Sequence, residues 1–208
     1  MNKHNELIAK EGWVFFFPLV ILTLICGFLG YVGLTIFVGI LAVYVAYFFR
    51  NPYRQIPSEP GAIVSPGDGK VVAVRTLDDG TQAISIFLNI FNVHVNRSPI
   101  EGTIDEVEYT HGKFVPADRE DASHINERNK LVISDGDFRM EVTQVAGLIA
   151  RRIVCWSKQG QTLARGERFG LIRFGSRVDM RLIGDCKILV RVGQKVAGGS
   201  DIIAQRPV

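Results

Sequence analysis

Arg168-Phe-Gly-Leu-Ile-Arg-Phe-Gly-Ser-Arg-Val-Asp179 reads as a strand that runs into a tight place and breaks at Ser176. Phe169, Leu171, Ile172, Phe174 and Val178 favour extended backbone, and Gly175 marks a point of close backbone approach. Taken alone, Gly175-Ser176 is a common turn dipeptide and carries no chemistry. Short β-branched runs of the same kind fill the chain after Gly61, at 69–75, 82–90, 93–96, 102–109, 130–134, 138–145 and 187–192. Broken by Gly, Asp and Asn, they predict an all-β or β-rich soluble domain, a sandwich or barrel. Residues 116–129 are polar and read as a long loop or irregular lid.

The N-terminal quarter differs in kind. From Gly12 to Phe49 there is no charged residue. One straight helix of that length would run roughly 55 Å against a hydrocarbon core of about 30 Å, so two spans fit better. They are expected near 13–28 and 32–49, reversing at Gly27, Gly30 and Gly33. A signal peptide is shorter and is not followed by a second apolar run. Lys3 and Lys10 precede the pair while Arg50 and Arg54 follow it, which by the positive-inside rule puts both ends in the cytoplasm. A hairpin that dips into one leaflet is the alternative. Pro52, Pro57 and Pro60 make an extended linker. The expected organisation is an anchor hairpin over 1–50, a linker over 51–60 and a β-rich domain over 61–208.

The net charge of +3 comes without a dense basic patch, which argues against nucleic acid as a partner. Cys26, Cys155 and Cys186 are far apart, and His4, His111 and His124 have no metal-ligand spacing, so neither a zinc site nor a disulfide framework is expected. There is no G-x-S-x-G elbow, Walker loop or G-x-G-x-x-G. Asp68, in Ser65-Pro-Gly-Asp-Gly69, has the setting of a β-turn, a duty that leaves its carboxylate able to orient a histidine. In Phe91-Asn-Val-His-Val-Asn-Arg97, period-2 alternation puts Asn92, His94 and Asn96 on one face, either a solvated face or the wall of a site.

Six runs occur in an order that resembles the short form of the phosphatidylserine decarboxylase family. They are Ser65-Pro-Gly-Asp-Gly69, Asn92-Val-His-Val-Asn-Arg-Ser-Pro99, Gly112-Lys-Phe114, Asn126-Glu-Arg-Asn129, Ala146-Gly-Leu-Ile-Ala-Arg-Arg-Ile-Val-Cys155 and the 168–179 stretch. The Phe48-Phe-Arg-Asn-Pro52 junction after an apolar hairpin is similar too. The resemblance covers nearly the whole chain.

That resemblance implies a self-processing zymogen at the cell (inner) membrane, with its catalytic domain on the cytoplasmic face. Ser176 would attack the carbonyl of Gly175, and elimination would separate fragments 1–175 and 176–208. Ser176 would become a covalent pyruvoyl cofactor that forms a Schiff base with phosphatidylserine, so that neither a metal nor pyridoxal phosphate is needed. His94 would be the base, oriented by Asp68. Long-form members carry a further histidine where this chain has Phe91. Arg151, Arg152 and Arg177 are open as phosphate partners or as structural residues. Two other readings compete. One is a membrane-anchored biotinyl- or lipoyl-like carrier, suggested by the rhythm of 102–107 and 192–204 and lacking a Met-Lys-Met or Asp-Lys-Ala tip. The other is a membrane serine hydrolase acting through Ser176, His94 and Asp68.

Overall fold

The computed structural model describes residues 6–117, 119, 121–136, 138–148 and 152–207. Lys3, His4 and Arg151 lie outside the described residues. The chain separates into two compact units, residues 1–53 and 54–208.

In the first unit, α1 (Lys10–Phe28) and α2 (Val32–Phe48) form the expected pair of apolar helices. Gly30, at φ 78°, makes the reversal between them, a conformation that a glycine adopts without steric cost. Pro18 sits inside α1. With 19 residues, α1 is long and apolar enough to cross a membrane, whereas α2 stops at 17. Most large side chains on both helices are exposed, among them Phe17, Leu24, Phe28, Phe37 and Val43. Apolar residues all round a helix suit a lipid environment rather than water.

The second unit is β-rich. Its main sheet has eight antiparallel strands in the order β13-β2-β3-β11-β7-β6-β5-β9 and curls into a half-barrel. The members are β2 (Gly69–Thr76), β3 (Gln82–Leu88), β5 (Gly102–Thr110), β6 (Arg128–Asp135), β7 (Phe138–Ala146), β9 (Thr162–Leu163), β11 (Ser176–Ile183) and β13 (Lys195–Val196). A three-stranded sheet, β4-β10-β8, comprises β4 (Val95–Arg97), β10 (Arg168–Arg173) and β8 (Arg152–Cys155). Another, β1-β14-β12, comprises β1 (Ala62–Val64), β14 (Ile202–Gln205) and β12 (Lys187–Ile188). The core is built where strand alternation directs it. Val178, Met180 and Leu182 of β11 join Ile84 and Ile86 of β3 and Met140 and Val142 of β7, all buried. Truncating such a residue to alanine costs about 2–5 kcal/mol.

The sequence expectations shift in four places. The strand expected to break at Ser176 ends at Arg173, and Ser176 opens a new strand instead. The segment expected as a strand over 93–96 is extended only from Val95, and no solvated face results, because Val93, His94, Val95 and Asn96 are all buried. The expected strand at 187–192 shrinks to Lys187–Ile188, and the chain turns further on at Gly193, with φ 91°. Residues 116–129 are not all loop: α3 (Ala122–Ile125) forms one turn, and Arg128 and Asn129 begin β6.

Candidate active site

β10 belongs to one sheet and β11 to another, and the chain changes sheets at Phe174 and Gly175. Both have positive φ, 57° and 63°, and Phe174 is the one non-glycine with positive φ among the described residues. Left-handed backbone costs a bulky L-residue roughly 1–2 kcal/mol, so Phe174 carries strain one residue before the Gly175-Ser176 bond. The carbonyl of Gly175 is also packed tightly. A β-carbon on Gly147 would lie 2.1 Å from its oxygen, so only glycine fits at 147.

Ser176 opens β11 between Leu88 of β3 and Ala146 of β7. Paired residues share a face, so its side chain points into the core with Val178 and Met180. It is fully buried, and its Oγ has no hydrogen-bond partner among the described residues. An orphaned buried hydroxyl costs about 1–3 kcal/mol, and such an anomaly calls for a functional account.

His94 and Asp68 lie at the same end of the sheet. The carbonyl of His94 accepts from the Ile172 N–H of β10 at 3.3 Å, just upstream of the Phe174-Gly175 turn. The imidazole is 2% exposed, and its Nδ1 donates to the Asn92 carbonyl at 3.0 Å. A carbonyl only accepts, so Nδ1 carries the proton and, in the neutral ring, Nε2 is the basic nitrogen. Asp68 precedes β2, whose Lys70 faces Phe87 beside Leu88. Its Oδ2 accepts from Arg54 Nη2 at 2.7 Å and its Oδ1 from the Gly198 N–H at 2.7 Å. Asp68 therefore serves a cationic cluster. Arg97, pushed down to about 10 by burial, is further lowered by Arg168 and Arg54, and Asp68 opposes that shift.

Two groups here have partners that the sequence reading did not assign. The first is a chain of buried amides on the face that carries Ser176. Asn129 Nδ2 donates to Gln144 Oε1 at 3.0 Å, and Gln144 Nε2 donates to Asn96 Oδ1 at 2.8 Å. Asn96 Nδ2 has no partner among the described residues, and a β-carbon on Gly67 would lie 3.3 Å from it and 3.4 Å from Leu88. The second is Arg177, on the opposite face of β11. Its Nη1 donates to the carbonyls of Ala117 at 3.0 Å and Arg119 at 2.8 Å, and its Nε stands 2.9 Å from Asp179 Oδ1. Arg177 is thereby committed to the 117–123 segment. Asn126 fastens the other end of that segment, donating to the carbonyls of Val115 at 2.8 Å and Ala146 at 2.7 Å.

A β-rich domain with a buried serine just after a positive-φ turn, in a chain that begins with an apolar pair of helices, matches one class of enzyme, the decarboxylases that act on phospholipid. The family described as phosphatidylserine decarboxylase matches residues 41–204. The chain is 45% identical to the phosphatidylserine decarboxylase proenzyme of Ralstonia nicotianae over 97% of this chain and 96% of that one. It is 44% identical to the proenzyme of Cupriavidus taiwanensis over the full length of both. It is 42% identical to that of Burkholderia pseudomallei over 100% of this chain and 99% of that one. The chain belongs to the phosphatidylserine decarboxylase family and is a carboxy-lyase. The carrier and hydrolase readings are not favoured.

Proposed function

We propose that this chain converts phosphatidylserine to phosphatidylethanolamine and CO2 with a pyruvoyl group made from its own Ser176. The observation that carries this reading is the buried, unpartnered Ser176 Oγ next to a carbonyl held between positive-φ Gly175 and Gly147. Ser176 Oγ attacks the carbonyl carbon of Gly175, giving up its proton to His94 Nε2, and the amide C–N bond breaks as the nitrogen takes a proton. The resulting ester is opened when the Cα proton of residue 176 is removed and the Cβ–O bond breaks. Gly175 leaves as a carboxylate, and water then replaces nitrogen as ammonia, leaving a ketone at the new N-terminus. His94, with Nδ1 fixed on Asn92, is the base. Asp68, with its oxygens on Arg54 and the Gly198 N–H, acts on His94 through its charge rather than through Nδ1, which Asn92 holds.

The pyruvoyl carbonyl supplies an electron sink for the pair released when CO2 departs. This chain's residues keep that position dry, because Ser176, His94, Leu88 and Ala146 are all buried. The 176–208 fragment stays in place after cleavage. β11 is an interior strand, paired from Ser176 to Leu182 with β3 and from Ser176 to Ile183 with β7. The apolar helices tether the β domain to the cytoplasmic face of the inner membrane, where lateral diffusion delivers a lipid that scarcely leaves the bilayer. The cationic residues flanking the helices support that side. Cyanoborohydride treatment in the presence of phosphatidylserine tests the reading. It should link lipid mass to the 176–208 fragment and abolish turnover, and labelling of 1–175 instead would overturn the assignment.

A further inference from the structure

Ser176 Oγ is not alone in being buried without a partner. Asn96 is fully buried, and its Nδ2 has none among the described residues. The other end of the same amide is engaged. Asn96 Oδ1 accepts from Gln144 Nε2 at 2.8 Å, and Gln144 Oε1 accepts from Asn129 Nδ2 at 3.0 Å. Each amide donates to the next, so the orientation of Asn96 is set from β6, and its NH2 group is turned away from Gln144. Register shows where it is turned. Gln144 faces Val178 across the β7–β11 ladder, and Leu88 faces Ser176 across the β3–β11 ladder. A β-carbon on Gly67 would lie 3.3 Å from Asn96 Nδ2 and 3.4 Å from the Leu88 side chain. The Asn96 amide therefore reaches from Gln144 on the β7 side towards Leu88 on the β3 side. β11 lies between those two strands, and the positions spanned are 176 to 178. Gly170, the ladder partner of Asn96, leaves room for the pair of amides, since a β-carbon there would lie 3.0 Å from Gln144 Nε2.

We propose that Asn96 is a substrate-binding residue whose Nδ2 donates a hydrogen bond to the headgroup carboxylate of phosphatidylserine. The proposal rests on the pyruvoyl reading of Ser176. A buried amide oriented by two others and left with an unmatched donor is completed by an acceptor from outside. The headgroup brings two kinds, a carboxylate and a phosphate. The carboxylate sits on the same carbon as the amine that reacts at residue 176, whereas the phosphate hangs from the next carbon out. A donor placed over 176–178 therefore meets the carboxylate. A neutral amide also suits this task. Negative charge leaves the carboxylate as CO2 forms, so a cation would stabilise the ground state more than the transition state. CO2 is a poor acceptor, so the hydrogen bond is lost with it, and the ethanolamine product leaves without that contact.

The test uses the full-length enzyme carrying Asn96→Asp, which keeps the acceptor for Gln144 and puts an oxygen where the donor stood. Intact mass reads self-cleavage. The cleaved protein is then assayed in mixed micelles for the KM of phosphatidylserine and for the inhibition constant of phosphatidylethanolamine, which has the phosphate and the amine and lacks the carboxylate. The expected result is a cleaved enzyme with KM raised at least fivefold and the inhibition constant changed less than twofold. Asn96→Ala, which brings in no buried charge, is read the same way should Asn96→Asp not fold. An equal rise in both constants, which a phosphate contact or a structural role would give, overturns the proposal, and so does an unchanged KM. A folded variant that stays uncut overturns it too, placing Asn96 in the cleavage step. Failure of the pyruvoyl reading shows separately, as a wild-type chain that is active and uncut.

Discussion

Gly147 stands so close to the carbonyl of Gly175 that a single added methyl would lie 2.1 Å from the oxygen. The neighbour it would strike is backbone, which cannot rotate away. Gly147→Ala should therefore displace the carbonyl that Ser176 attacks and slow self-cleavage by at least tenfold. A time course of fragment formation on denaturing gels reads this out, and wild-type kinetics would show that the packing at Gly147 does not set the geometry of the bond.

Asp68 holds the Arg54 guanidinium at 2.7 Å and acts on Arg97 as well. Asp68→Asn keeps an acceptor for the Gly198 N–H and removes the charge. Breaking a largely buried ion pair leaves guanidinium groups uncompensated, at a cost of about 2–4 kcal/mol. Measured in a Ser176→Ala background, where cleavage plays no part, the melting temperature should fall by roughly 5–10 °C. An unchanged melting temperature would assign Asp68 to chemistry alone.

Arg177 faces away from Ser176 and is engaged by Ala117, Arg119, Ser123 and Asp179. Arg177→Ala should leave cleavage within about threefold of wild type while lowering stability by about 2 kcal/mol, since it strands buried carbonyls and Asp179. Limited proteolysis should then cut within residues 117–123. Loss of lipid turnover with no gain in proteolysis would instead point to a phosphate contact.

Among the longer strands, five were legible because their alternation is strong, whereas β11 was not, since the stretch around Ser176 reads as the end of a strand and the structure starts one there. β2, β3, β5, β6 and β7 fall close to the expected spans. β1, β8, β9, β13 and β14 were not, since two to four residues are too few to show a period. The helical pair was legible from the missing charges alone. Of the proposed site, the Gly175-Ser176 bond, His94 and Asp68 were singled out from their motifs. Their partners could not, because Asn92 holds His94 through a backbone carbonyl and Gly198 reaches Asp68 from across the fold. Gln144 was invisible for a similar reason: its bonds run to Asn96 and Asn129, distant in sequence. Gly147 is ordinary as a letter and informative only once the Gly175 carbonyl is seen against it.

Intact-mass spectrometry of purified, active protein beside its Ser176→Ala variant tests the central claim most directly. The account predicts two masses for the wild type, residues 1–175 ending in a carboxylate and 176–208 beginning with a pyruvoyl group, and one uncut, inactive chain for Ser176→Ala. A single intact chain in material that decarboxylates phosphatidylserine would contradict it.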